Sequence, residues 1–232
     1  MPPTPLNILS LDGGGVRGLS SLYILKALME QLQKRTGSPN IPPPCEVFDV
    51  ICGTSTGGLI ALMLGRLGMS VDEAIKCYED LSKEVFSRKL SFPGLRMLIG
   101  RPMYDASILE EHVKKIVADY THGNRDAPLE HPPNEDGRTG HFCHTFVVAT
   151  YGDLLDRSPR CLRSYPTSMA KADACMIWQA ARATTALRTF FPPIKIGPKR
   201  FIVSLLPVWL LCISVAYCPS RTKPWKRIIP LK

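Results

Sequence analysis

Apolar residues fall along the chain in short runs that alternate with stretches spaced for helices. Residues 6–11 (LNILSL) are an apolar run ending at Asp12 and three glycines, which predicts a buried strand entering a tight loop. Over residues 18–33, Leu19, Leu22, Tyr23, Leu25, Leu28, Met29 and Leu32 recur near helical spacing, so a helix is expected just after the glycines. A Pro-rich connector, 37–44, leads to a second expected strand at 47–52 (VFDVIC), followed by residues 53–58 and an apolar helix at 59–67. Ser70-Val-Asp-Glu is spaced as a capping box and predicts a further helix to residue 86. Residues 87–101 read as irregular and 105–120 as a helix with one charged and one apolar face. The polar stretch 121–141, rich in Gly, Pro and Asn, reads as a surface insertion. A third strand is expected at 143–150 (CHTFVVAT) and an Ala-rich, close-packing helix at 169–186. Strands alternating with helices predict an α/β fold with a mainly parallel sheet.

At 232 residues, 45% of them apolar, the chain can bury a core without disulfides or metals, as one domain or one domain plus a tail. That composition argues against intrinsic disorder and against a polytopic membrane protein. The net charge of +9 first suggests a nucleic acid or an anionic membrane as partner. Its location changes the picture. Lys195, Lys199, Arg200, Arg221, Lys223, Lys226, Arg227 and Lys232 lie in a stretch without any Asp or Glu. The 29 basic residues less these eight leave 21 against 20 acidic ones. The body is near neutral, the basicity belongs to the tail, and no nucleic-acid partner is expected. The eight cysteines form no C-x-x-C or evenly spaced framework, and Cys52, Cys143 and Cys175 sit in apolar runs as small core residues. Residues 1–11 lack a basic segment followed by an apolar one, so no signal peptide is expected, and a reducing cytoplasmic setting follows.

Two glycine loops carry the candidate chemistry. Asp12-Gly13-Gly14-Gly15-Val16-Arg17-Gly18 contains G-x-G-x-x-G, whose default meaning is a dinucleotide loop. The acidic residue expected about 20 positions on, at the end of a second strand, is absent. No Gly-Lys-Ser/Thr follows, which excludes a Walker A loop. Three consecutive glycines beside a helix start can still turn their N–H groups towards one point, making an anion hole. Arg17 can add a charge-assisted contact to a phosphate. The second loop, Gly53-Thr54-Ser55-Thr56-Gly57, is a G-x-S-x-G nucleophile elbow between an apolar run and an apolar helix. The turn presents the Ser55 hydroxyl, and the flanking glycines remove side chains where strand and helix cross. A nucleophile and an oxyanion hole together are what acyl transfer needs.

Residues 12–18 (DGGGVRG), 53–58 (GTSTGG) and 180–193 (AARATTALRTFFPP) resemble the patatin-like phospholipases. The resemblance covers roughly residues 6–197. It implies a three-layer α/β/α fold and a Ser–Asp dyad with Ser55 as nucleophile. It further implies an oxyanion hole from Gly13, Gly14 and Gly15, with Arg17 near the lipid head group. The implied reaction is hydrolysis of a phospholipid or other acyl-glycerol ester through an acyl-enzyme, without metal or cofactor. The substrate would be met at a membrane surface, so peripheral membrane contact is expected.

The dyad Asp is not found. In the family it stands in an Asp-Gly-Gly or Asp-Gly-Ala motif shortly after the FFPP-like segment. Here no Asp or Glu follows Asp173, and Asp136-Gly137 lies in the polar insertion, where a turn is expected. The five histidines, His112, His122, His131, His141 and His144, offer no clear triad partner, and His141, Cys143 and His144 are too crowded on one strand for an easy metal site. The expectation is therefore a domain over 6–198 that stops before its catalytic Asp, with impaired catalysis. The alternatives are a non-catalytic lipid-binding pseudoenzyme and, using only the first loop, a nucleotide-binding domain. Residues 199–232 form an atypical apolar and basic tail. They read as read-through sequence, as a membrane anchor spanning 201–217 and broken by Pro207, or as one more element of the domain.

Overall fold

The computed structural model describes residues 6–87, 101–131, 143–151, 159–167, 174–187, 189–197, 199–203 and 225–231. Its centre is a seven-stranded sheet in the order β5-β6-β3-β2-β1-β7, with β4 also paired to β3. The strands are β1 (Leu6–Leu11), β2 (Val50–Thr54), β3 (His144–Tyr151), β4 (Pro159–Arg163), β5 (Ile194–Ile196), β6 (Lys199–Val203) and β7 (Trp225–Leu231). The pairs β7–β1, β1–β2 and β2–β3 are parallel, while β4 and β6 run antiparallel to β3, and β5 to β6. The helices are α1 (Gly18–Thr36), α2 (Pro44–Val47), α3 (Thr56–Ala61), α4 (Val71–Ser87), α5 (Ala106–Tyr120) and α6 (Ile177–Thr185). The architecture is the mixed α/β fold with a mostly parallel sheet that the alternation of elements predicted.

The register sets which side chains share a face. Leu9 pairs with Ile51, and Gly53 with Val147. Leu9, Leu11, Ile51, Val147 and Ala149 enter the larger apolar cluster, shared with Leu25 and Met29 of α1, Tyr78 and Leu81 of α4, Leu109 and Val113 of α5, and Ile177 and Ala180 of α6. Ile8, Val50, Cys52, Phe146 and Val148 point the other way and form a second cluster. Burial on both faces is what an internal parallel strand requires.

The helix ends follow their local chemistry. Gly37, at φ 67°, stops α1 in the left-handed conformation, after Lys34 and Arg35 in the last turn. The capping box at α4 forms as spaced: the Ser70 amide donates to Glu73 Oε2 at 2.8 Å, and the Glu73 amide to Ser70 Oγ at 3.3 Å. Asp105 caps α5 by accepting from the Ser107 amide at 2.9 Å.

Several features differ from the sequence expectation. The second strand begins at Val50, not at residue 47, because Pro44 opens a one-turn helix that uses Val47. The helix after the serine loop begins at Thr56, not at residue 59, and widens into a π turn over Leu62–Arg66. The last helix begins at Ile177; Met176 before it is extended and bridges to Pro128. The stretch expected as a surface insertion is in part core: Ala127 and Leu129 are buried. There the Arg66 guanidinium donates to the carbonyls of Pro128, Leu129 and Glu130, and burial pulls its pKa down to about 10. The rest of that insertion, 132–142, and the irregular stretch 88–100 lie outside the described residues. The sheet takes in Lys199–Val203 and Trp225–Leu231, on the far side of the expected boundary at 198. Most of the expected 201–217 anchor run lies outside the described residues, and no described helix is long and apolar enough to cross a membrane.

Candidate active site

Ser55 stands between the end of β2 and the start of α3, at φ 55° and ψ −127°. That combination lies outside the ordinary left-handed well and costs a side-chain-bearing residue on the order of 1–3 kcal/mol. Both peptide units around it are fixed. The Ser55 amide donates to Thr184 Oγ1 at 2.9 Å, and its carbonyl accepts from the Leu59 amide at 3.1 Å. Thr184 in turn donates to the Val148 carbonyl at 2.8 Å, which ties the elbow to β3. The glycines of the motif are needed for the crossing of strand and helix. A Cβ on Gly53 would overlap the Gly57 carbonyl, and a Cβ on Gly57 would overlap the carbonyls of Leu11 and Asp12. Gly58 makes room for Thr184, whose Cγ2 would lie 2.7 Å from an added Cβ.

The first glycine loop packs directly on this elbow. A Cβ on Gly13 would sit 2.8 Å from the Ser55 Cβ, so only glycine lets the loop approach so closely. The Gly14 and Gly15 amides both donate to Thr56 Oγ1, at 3.1 Å each. The Arg17 amide donates to the Gly14 carbonyl at 3.3 Å within the turn Gly15–Arg17. Gly15 has φ 59°, and its carbonyl accepts from the Tyr78 hydroxyl at 2.6 Å. Thus Gly13, Gly14, Gly15, Thr54, Thr56 and the two elbow glycines gather around Ser55, and Arg17 is exposed at the rim.

Among the described residues, no histidine hydrogen-bonds Ser55. The Ser55 hydroxyl makes no hydrogen bond to a described residue. His144 pairs with Val50, at the opposite end of β2 from Ser55, and stacks on Tyr165 with centroids 4.2 Å apart. His112 Nδ1 lies 3.0 Å from Glu84 Oε2, between α5 and α4. His131 is half-buried, and burial with the nearby Arg66 charge lowers its pKa to about 4. His122 stands just beyond α5, at φ 52°. His141 and Asp136-Gly137 lie outside the described residues. No group of three His, Cys, Asp or Glu able to hold a metal occurs among the described residues.

Sequence reasoning missed three participants. Thr184 and Tyr78 hold the two loops through their hydroxyls. Arg182, 1% exposed, donates through Nε to Glu110 Oε1 at 3.0 Å and through Nη2 to the Pro192 carbonyl at 2.9 Å. It thereby joins α6, α5 and the FFPP segment. The signal for Thr184 and Arg182 was present as the Ala-rich ARATT run; nothing in the local pattern marks Tyr78.

A model of the patatin-like phospholipase family matches residues 9–206. The human calcium-independent phospholipase A2-gamma is 30% identical over 196 residues, which covers 83% of this chain and 23% of the relative. Patatin-like protein 1 of Arabidopsis thaliana is 28% identical over 198 residues, covering 81% of this chain and 43% of the relative. The chain therefore spans less than half the length of these relatives. Among solved structures, VipD from Legionella pneumophila aligns with a TM-score of 0.46 and 15% identity, covering 88% of this chain and 46% of that one.

Proposed function

This chain belongs to the patatin-like phospholipase family, and from that premise we propose that it carries the nucleophile half of a lipid acyl hydrolase. The substrate is a phospholipid or another acyl-glycerol ester, met at a membrane surface. Ser55 Oγ attacks the ester carbonyl carbon, the acyl C–O bond breaks, and the lipid alcohol leaves. Water then attacks the acyl-enzyme and releases the fatty acid. The loop of Gly13, Gly14 and Gly15 lines the oxyanion side of the site, with the Gly14 and Gly15 amides held by Thr56 Oγ1 rather than open to the oxyanion in this structure, and exposed Arg17 meets the head-group phosphate. The observation that carries this proposal is the conformation of Ser55, φ 55° and ψ −127°, held between Gly53 and Gly57 with Gly13 against it.

The chemistry also needs an acceptor for the serine proton. Within these 232 residues no Asp or Glu follows Asp173, and on this reading ester turnover by them is slow. The same observation favours a second reading, a lipid-binding protein without turnover. A fluorophosphonate probe and fatty-acid release from phospholipid vesicles test both. Labelling at Ser55, lost in Ser55→Ala, supports the nucleophile assignment, and labelling of Ser55→Ala to the wild-type extent refutes it. Vesicle co-sedimentation with neither labelling nor release supports the second reading.

A further inference from the structure

Gly14 and Gly15 do not leave their amides open in this structure: both converge on one side-chain oxygen, Thr56 Oγ1, at 3.1 Å. Thr56 is the first residue of α3 and is 5% exposed, so its hydroxyl is committed to the protein rather than to solvent. A hydroxyl has two acceptor lone pairs and one proton. The two glycine amides use both lone pairs. Tyr78, 1% exposed, donates its own proton to the Gly15 carbonyl at 2.6 Å. Gly15 therefore has its N–H held from α3 and its C=O held from α4, at a φ of 59° that the loop must maintain. The exit of the loop rests on the same group, since a Cβ on Gly18 would lie 2.7 Å from the Tyr78 hydroxyl. With Gly14 and Gly15 fixed in this way, Gly13 is the loop residue pressed against Ser55.

We propose that Thr56 and Tyr78 are positioning residues, a pair of buried hydroxyls that clamp the glycine loop against Ser55 and set how fast that serine reacts. The proposal rests on the nucleophile reading of Ser55 and gives a role to two side chains that touch no substrate. Thr56 does more here than fill a variable place in an elbow. It couples the two loops, because the residue after the nucleophile holds the amides of the loop opposite.

The test uses the full chain and three variants: Thr56→Val, which keeps the shape and removes the hydroxyl, Thr56→Ser, which keeps the hydroxyl, and Tyr78→Phe. Two quantities are read. One is hydrogen exchange at the Gly14 and Gly15 amides, followed by NMR. The other is the second-order rate at which a fluorophosphonate labels Ser55, where the Oγ–P bond forms, the P–F bond breaks, fluoride leaves and the serine proton passes to buffer. Slow exchange is expected in wild type and in Thr56→Ser. Thr56→Val should exchange about tenfold faster, as expected for losing one hydrogen bond per amide. Its labelling should slow by about ten- to a hundredfold, the scale of a misplaced catalytic group. Thr56→Ser should label within about twofold of wild type, as its geometry is retained. Tyr78→Phe should shift both quantities in the direction of Thr56→Val, and it decides the matter should Thr56→Val fail to fold. Unchanged exchange in the variants without the hydroxyl overturns the clamp. Faster exchange with unchanged or faster labelling overturns the positioning role. Absence of labelling in wild type refutes the nucleophile reading instead, and the exchange contrast between Val and Ser then decides the clamp by itself.

Discussion

Replacing Ser55 by glycine should stabilise this protein relative to replacing it by alanine. At φ 55° and ψ −127° the residue sits where side chains are disfavoured. Its neighbours keep it there: Thr184 holds the amide at 2.9 Å, and the Leu59 amide holds the carbonyl at 3.1 Å. Gly53 and Gly57 touch too closely for the turn to open. The strain therefore has no route to relax, and it is on the order of 1–3 kcal/mol. Alanine keeps that strain and removes a hydroxyl that bonds to no described residue, so Ser55→Ala should match wild type closely. Glycine relieves the strain and gives back about 0.5–1 kcal/mol through the freer unfolded chain. The net gain is about 1 kcal/mol, which for a chain of this length is about 2–4 °C in Tm. The assay is urea unfolding and thermal melting of Ser55→Gly and Ser55→Ala side by side. A Ser55→Gly protein no more stable than Ser55→Ala would show that the elbow holds no such strain.

Other parts of the structure give sharp expectations. Gly57→Ala puts a Cβ into the carbonyls of Leu11 and Asp12, and Leu11 cannot move without breaking the β1–β2 register. It should abolish soluble folded protein, read by expression yield and circular dichroism. Glu110→Ala leaves the Arg182 guanidinium buried without its carboxylate and should cost about 3–5 kcal/mol in denaturant unfolding. His131 has its folded pKa lowered from the ordinary 6.5 to about 4, chiefly by burial and then by the Arg66 charge. Between those values the unfolded chain binds the proton more readily, so stability present above pH 6.5 is lost as pH falls towards 4. His131→Gln should flatten that part of the stability profile; an unchanged slope would assign the loss to other groups.

Both glycine loops were legible because their geometry leaves its mark in the letters. Only glycine fits at Gly13, Gly53 and Gly57, so the sequence must show it there. The side chains that hold those loops were not legible. Thr184 meets Ser55 across 129 residues, and Tyr78 meets Gly15 across 63; the ARATT run marks the segment of Thr184 but not its contact with Ser55, and Tyr78 looks like an ordinary helix residue until the sheet closes. Strand boundaries moved for a related reason. VFDVIC reads as one apolar run, but Asp49 accepts from the Asn7 amide at 2.7 Å and its carbonyl accepts from the His144 amide at 2.9 Å. Asp49 is a junction between three strands rather than part of the second. The start of the last helix was misplaced because the bridge between Met176 and Pro128 overrides helical spacing that looks sound locally. Leu129, in a stretch judged polar by composition, is fully buried because Arg66 ties the surrounding backbone down.

The contacts that hold Ser55 among the described residues come from backbone amides and carbonyls, glycines and neutral hydroxyls. None of these depends on a carboxylate. On the proposed reading, the nucleophile half of such a site is built without the acid, and its two functions should separate. Attack on a phosphonofluoridate has a good leaving group and makes modest demands on a base. Ester turnover needs a proton acceptor in the first step and again when water attacks, and general acid–base help is worth about 10²- to 10⁴-fold in rate. On the proposed reading, this chain should be labelled at Ser55 yet release fatty acid slowly, and Ser55→Ala should lose both signals. Rapid release at a rate that Ser55→Ala leaves intact would place the chemistry elsewhere. Rapid release that Ser55→Ala abolishes would mean that an acid or base other than a residue after Asp173 reaches the serine, and the polar stretch containing Asp136 and His141 would be the first place to mutate.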